Sequence, residues 1–250
     1  MTIEIIRCLQ DNYAYLVHDA ATGDTTLIDA PEAAPILARL ADRGWRLARI
    51  YITHHHNDHI DAVPEIVAAT GATVWGAKAD AHRLPPLDHA FAPGDTLPGG
   101  AEVLDAPGHT LGHVAFHYPA LKALFSADSL MTHGCGRLFE GTAEQMFATI
   151  ARFNALPADT RVLSGHDYAR ANLAFAARYA PDPSALAVRQ ADLPRLAQEA
   201  LPTTGTTLES ERLLNPYLRC HLPEVAAAAG LAGADPLSVF TAIRRQKDNA

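Results

Sequence analysis

Hydrophobic and polar positions follow two patterns along the chain, and the pattern changes near residue 180. Short apolar runs rich in β-branched and aromatic residues predict strands at 3–8, 13–18, 25–29, 49–53, 73–75, 102–105, 114–118, 123–126 and 161–164. Helical spacing interrupts them. The stretch 31–43 carries Ile36, Leu37 and Leu40 on one face and stops at Gly44. A second helix is predicted at 142–156, with Thr142 as its N-cap. Beyond Tyr179 no strand pattern appears. Pro181 and Pro183 break the chain, and from Ser184 Ala, Leu, Arg and Glu dominate. The last helix has a defined start, with Asp235 as N-cap and Pro236 in the first helical position. The reading is a mixed α/β region followed by a smaller helical one.

Composition narrows the function classes. A chain of 250 residues with 48% hydrophobic content can bury a sizeable core. No apolar run is long enough to span a bilayer, and the first residues show no basic region leading into an apolar core, so neither a membrane span nor a secretory signal is expected. The net charge of -8 argues against nucleic acid as a partner, though a local basic cluster could still take a small anion. Cys8, Cys135 and Cys220 are odd in number and far apart, so no disulfide framework is expected and a cytoplasmic location is the default.

The unusual component is histidine, with 13 in the chain. His54, His55, His56, Asp58 and His59 directly follow the predicted strand 49–53. In an extended segment residues two apart point the same way, so His54 and His56 face one site. Asp58 and His59 come close enough behind them to reach a second site. Three later strands repeat one design, ending in Pro107-Gly108-His109, in Asp128 and in Ser164-Gly165-His166. Strand ends are where α/β folds gather their sites. A single histidine at a strand end is usually an ordinary hydrogen-bonded residue. The chance of H-x-H-x-D-H arising in this composition is on the order of a few in a thousand. Imidazole and carboxylate ligands suit zinc, Fe(II) or Mn(II) without choosing among them. His55, His113, His117 and His133 have no clear ligand geometry, with His55 and His113 read as supports of the ligands or as structural residues, and His18, His82, His89 and His221 are read as ordinary histidines.

With these motifs in place the sequence resembles a known family. T-H-x-H-x-D-H at 53–59, G-H-T-x-G-H at 108–113, Asp128 after a strand and Gly165-His166 are similar to the metallo-β-lactamase superfamily. Gly134-Cys135-Gly136-Arg137-Leu138-Phe139-Glu140-Gly141-Thr142 resembles a segment of glyoxalase II, the hydroxyacylglutathione hydrolases. So do Gly165-His166-Asp167-Tyr168 with Asn172, Asn215-Pro216-Tyr217-Leu218-Arg219, and Arg244-Arg245-Gln246-Lys247-Asp248. The resemblance implies an α/β fold: an αββα metallo-β-lactamase-type sandwich as a catalytic domain over 1–168, then a smaller all-helical substrate-binding domain over 169–250. It implies two divalent metal ions. One would take His54, His56 and His109, the other Asp58, His59 and His166, with Asp128 bridging. It places glutathione contacts at Arg137, Tyr168, Asn172, Arg244 and Lys247. Two positions depart from the family pattern: Arg137 stands where Lys is frequent, and Phe139 where Tyr is frequent, which removes a hydroxyl.

The implied reaction is hydrolysis of the thioester of S-(2-hydroxyacyl)glutathione, such as S-D-lactoylglutathione, in methylglyoxal detoxification. Two cations lower the pKa of a shared water and deliver hydroxide near neutral pH, with Asp58 and Asp128 as the catalytic carboxylates. A thiolate leaving group, with a parent pKa of about 8.5, departs without a dedicated general acid. Arg244 and Lys247, three apart on the last helix, continue the stripe of Phe240, which suits contact with a glycyl carboxylate. A mononuclear iron dioxygenase of glutathione persulfide, a lactonase and a metal-buffering protein are the alternatives. A small-molecule partner and a monomer are expected.

Overall fold

The computed structural model describes residues 1–179 and 181–250. They form two compact units, Met1–Asp105 with Gly112–Leu121, and Ala106–Leu111 with Lys122–Ala250.

The first unit is built on a six-stranded sheet in sequence order, β1 (Thr2–Cys8), β2 (Asn12–Asp19), β3 (Asp24–Ile28), β4 (Arg46–Tyr51), β5 (Thr73–Ala77) and β6 (His89–Phe91). The first three strands pair antiparallel and the rest parallel. Parallel neighbours need crossovers, and helices supply two of them. Helix α1 (Ala33–Arg43) joins β3 to β4 and buries Ile36 and Leu40, as its spacing predicts. Gly44 ends it at φ 63, a left-handed cap that a side chain would strain. The one-turn α2 (Asn57–Ile60) and α3 (Val63–Thr70) lie between β4 and β5. Leu16, Leu27, Ile36, Ile50, Ile52, Ile66 and Val74 close the core beneath them. Ala30 N–H donates to the His59 carbonyl and Ala62 N–H to that of Ala30, so the turn carrying Asp58 and His59 is tied to the end of β3. The strands β7 (Thr96–Leu97), β8 (Ala101–Asp105) and β9 (Val114–Tyr118) pair antiparallel in this unit.

In the second unit β10 (Ala123–Ala127) precedes the short hairpin β11 (Leu130–Met131) and β12 (Gly134–Cys135). Helix α4 (Ala143–Asn154) opens on a full capping box of Thr142 and Gln145. It leads to β13 (Arg161–Ser164), parallel to β10, then α5 (Ala169–Ala176) and α6 (Pro183–Gln198). The remaining elements are β14 (Thr206–Thr207), α7 (Leu208–Leu214), α8 (Pro223–Ala228) and α9 (Pro236–Asp248). The tail is helical except for β14, which pairs with β13 through Thr206 and Thr207. Two threonines are too short a run to register as a strand pattern, but their β-branched side chains suit a sheet edge. Helix α9 starts on Asp235 and Pro236 as the sequence indicates and buries Val239, Phe240, Ile243 and Arg244. Phe240 meets Phe147 of α4 and Tyr217 edge to face. Truncating it to alanine would cost about 3–5 kcal/mol. Among the described residues no helix is long and apolar enough to cross a membrane.

The nine predicted strands and both early helices are present. The sequence reading missed β6, β7, β11, β12, α2 and α3, all brief elements whose pattern spans too few positions to stand out.

Candidate metal centre

The first unit brings His54, His56, Asp58 and His59 together just beyond β4. His54 Nε2 lies 3.1 Å from His56 Nδ1, and the His54 ring centroid is 4.2 Å from that of His59. Asp58 Oδ2 is 3.8 Å from His59 Nε2. Asn12 donates to the Asp58 carboxylate at 3.0 Å and to its carbonyl at 3.1 Å, fixing the direction of the side chain.

The principal brace is Asp29, at the end of β3. One buried carboxylate accepts from Thr53 N–H at 2.8 Å, from the Thr53 hydroxyl at 2.7 Å and from His59 Nδ1 at 2.8 Å. That bond places the His59 proton on Nδ1 and turns Nε2 outward as a ligand atom. Asp29 adopts φ 56, a conformation that persists only where its surroundings enforce it. The sequence reading missed Asp29 and Asn12. A signal existed for Asp29, since it ends a predicted strand just as Asp128 does.

His55 turns away from its neighbours. Its Nδ1 lies 3.3 Å from Asp80, which Arg83 also holds at 2.7 Å. A Cβ on Gly112 would meet Asp80 Cγ at 2.4 Å, so this buried carboxylate also fixes the approach of the segment leading to His113. His113 stacks on His54 at 4.8 Å. His113 thus packs on the candidate ligand His54, while His55 is held by Asp80.

The second unit gathers His109, Asp128 and His166, all buried. Asp128 Oδ2 is 3.4 Å from His109 Nε2 and 3.3 Å from His166 Nε2. A bulge in the β10–β13 register between Phe125 and Ala127, with Ala127 at φ 41, turns Asp128 out of the strand. His109 Nδ1 donates to the Arg137 carbonyl at 2.8 Å, which leaves Nε2 as the ligand atom. The His166 ring lies parallel to Tyr168, centroids 4.9 Å apart. A Cβ on Gly136 would fall 1.7 Å from the Asp128 carbonyl oxygen, so only glycine fits against this ligand.

The donor chemistry fits divalent cations. In each unit imidazole nitrogens and carboxylate oxygens converge, and the opposite ring nitrogens of His59 and His109 are committed to a carboxylate or a carbonyl. Two ring nitrogens 3.1 Å apart, as in His54 and His56, share the space between them only with a proton or a cation.

The five predicted substrate residues all lie in the second unit and divide into two groups. Arg137 is largely exposed, 3.4 Å from Asp248, with its guanidinium 6.0 Å from the Phe139 ring. Tyr168 is 39% exposed and Phe139 61%, so both present ring surface to solvent. Lys247 is partly buried, 5.0 Å from the Phe175 ring and 3.4 Å from the Ala171 carbonyl. Burial, then Arg244 and Arg178, hold its ammonium below the usual lysine value. Asn172 and Arg244 are turned inward. The Asn172 amide donates to the Thr132 carbonyl at 3.1 Å, and Arg244 to that of Cys135 at 2.7 Å. The three cysteines are buried, and burial pushes the Cys135 thiol up to about 11, which disfavours a thiolate there.

Comparison with known proteins agrees with this chemistry. The model of the metallo-beta-lactamase superfamily matches residues 10–166, and that of the hydroxyacylglutathione hydrolase C-terminus matches residues 167–250. A hydroxyacylglutathione hydrolase from Jannaschia sp. (strain CCS1) is 55% identical over 98% of this chain and 96% of its own length. The crystal structure of the B3 metallo-beta-lactamase BLEG-1 shares the fold, with TM-score 0.66 and 22% identity over 87% of this chain and 99% of that one. TTHA1623, solved in a di-iron-bound form, gives TM-score 0.59 and 30% identity over 66% of this chain and 92% of its own. The sandwich expected from the sequence is therefore the metallo-β-lactamase fold. With two consecutive family models spanning residues 10–250 and a relative matched along nearly its whole length, the chain belongs to the hydroxyacylglutathione hydrolases of the metallo-β-lactamase superfamily.

Proposed function

We propose that the chain hydrolyses the thioester of S-(2-hydroxyacyl)glutathione, such as S-D-lactoylglutathione, to glutathione and a 2-hydroxy acid. His54, His56 and His109 would hold one divalent ion, Asp58, His59 and His166 the other, and Asp128 would serve both. The observation that carries this reading is a single carboxylate oxygen, Asp128 Oδ2, within 3.4 Å of one imidazole and 3.3 Å of another. One oxygen shared by two ring nitrogens suits a ligand that bridges two cations. Zinc is the first choice, with iron or manganese as alternatives. TTHA1623 was solved with two irons. When bound, the ions supply a water of lowered pKa and positive charge for the developing oxyanion.

The chain's own groups do the remainder. Asp58, oriented through Oδ2 by Asn12, would take up the proton that water gives up as it becomes the nucleophile. Asp128 keeps the centre compact and negative. Arg137, Tyr168 and Lys247 form the accessible face for the tripeptide, where cations meet carboxylates in charge-assisted bonds. Asn172 and Arg244, also assigned to glutathione from the resemblance, would act there through the backbone they hold. Phe139 offers a ring edge without a donor. The thiolate leaves unprotonated, so no general acid is required. In this reading the chain works as a monomer in the cytoplasm, in the detoxification of methylglyoxal, which suits its three unpaired cysteines.

The test is to mix metal-loaded protein with S-D-lactoylglutathione and follow loss of thioester absorbance, with a β-lactam and a lactone in parallel. Preferential thioester cleavage is expected. Oxygen uptake with glutathione persulfide, faster lactone cleavage, or no turnover of any substrate would overturn the proposal.

A further inference from the structure

The hairpin β11–β12 starts two residues beyond Asp128, and its far leg returns onto the same ligands. Gly136 N–H donates to the Ser129 carbonyl, Gly136 packs on the Asp128 backbone, and the next residue, Arg137, accepts the His109 Nδ1 proton. This hairpin has only two residues per strand, Leu130 with Cys135 and Met131 with Gly134. So short a pairing is marginal in water by itself.

The tail supplies what the hairpin lacks, one side chain at a time along five consecutive residues. Asn215 Nδ2 donates to the carbonyls of Met131 at 3.3 Å and Gly134 at 2.9 Å. Asn172 donates to Thr132. The Glu211 carboxylate accepts the His133 N–H at 2.8 Å. Arg244 donates to Cys135. All four side chains are buried, and Glu211 and Asn215 are 0% exposed. His133 sits at φ 59, and Glu211 restrains it at two points, the N–H and ring Nδ1 at 3.2 Å. Arg189 Nε donates to the other ring nitrogen at 2.9 Å, so the ring proton faces Glu211. Thr206 and Asn215 also donate to this carboxylate. Burial pushes the Glu211 carboxyl up, yet His133 and Thr206 hold it below its ordinary value, so it stays ionised.

We propose that Glu211 and Asn215 are positioning residues of the metal centre, acting through the hairpin 130–136 on Asp128 and His109. The tail then does more than bind substrate: it sets the carboxylate that the two ions share. The proposal rests on the reading of Asp128 and His109 as ligands. A clamp that only stabilised the fold would lower the melting temperature and leave ion binding alone.

The experiment uses the full chain loaded with Co(II). Chelator competition gives the affinity of each ion, and the visible absorption reports ligand geometry. Glu211→Gln keeps the volume but places an amide where the ring proton of His133 points. Asn215→Ser removes the double donor. Both are expected to weaken retention of cobalt about tenfold, the scale of losing an outer support of a ligand, and to shift the spectrum. Leu40→Ala, in the core of the first unit beneath α1, is expected to lower the melting temperature with spectrum and affinity unchanged. If Glu211→Gln fails to fold, Asn215→Ser decides by the same measurements. Variants with wild-type cobalt affinity and spectrum would overturn the clamp alone. Wild-type protein that takes up no cobalt would overturn the ligand reading, and the clamp with it.

Discussion

The two units hold their candidate ligands by different means. In the first, His54, His56, Asp58 and His59 come from one short stretch, and a single carboxylate, Asp29, fixes both the entry at Thr53 and the exit at His59. In the second, His109, Asp128 and His166 come from three separated segments, two of them aimed by backbone: a bulge and strained Ala127 behind Asp128, and the Arg137 carbonyl behind His109. A contiguous motif carries much of its geometry in its own spacing. A scattered one takes its geometry from what packs around it, and here that support reaches into the tail.

Four substitutions sharpen this contrast. Asp128→Asn is expected to have the largest effect, on the order of a hundredfold or more in kcat, because it removes the charge proposed to serve both ions. Steady-state kinetics at saturating metal measure it, and a fall of less than threefold would deny Asp128 the shared position. Asp29→Asn comes next. It leaves every proposed ligand in place but frees His59, so metal affinity should weaken about 10–100-fold in a chelator titration, with kcat largely restored by excess metal. An unchanged affinity would mean that the compact motif needs no brace. Arg137→Ala is expected to raise KM about tenfold while kcat changes little, as for a lost charge contact outside the reacting bond. A kcat loss with constant KM would instead place Arg137, through its carbonyl on His109, among the metal supports. Phe139→Tyr should have the smallest effect, lowering KM about two- to fivefold by adding a donor worth about 0.5–1 kcal/mol. A raised KM would show that the exposed ring contacts an apolar part of the substrate.

Much of the fold was legible because nine strands and the longer helices carry their patterns over enough positions to be read. The N-caps at Thr142 and Asp235 were legible from residue type alone. The two-residue strands were not, since pairing over so short a span is decided by partners distant in sequence. At the site, His54 to His59 stood out by spacing, while His109, Asp128 and His166 rested on strand ends and on resemblance. Asp29 shows only the signal of ending a predicted strand, and Asn12 none, for a physical reason: each acts through bonds to residues distant in sequence, and nothing in its neighbourhood marks those partners. Arg244 shows the converse. Its place on the packed stripe of α9 follows from helical spacing, yet its guanidinium is buried against the Cys135 carbonyl, which no helical periodicity could reveal.

In the proposed mechanism hydrolysis depends on two cations, for which these seven side chains would be the ligands. The most direct measurement is stepwise addition of Zn(II) to metal-stripped protein, with bound metal and cleavage of S-D-lactoylglutathione recorded at each step. Thioester cleavage is expected to rise to its plateau as binding reaches about two ions per chain. Full turnover in the stripped protein, or a plateau of activity and binding at one ion, would contradict it.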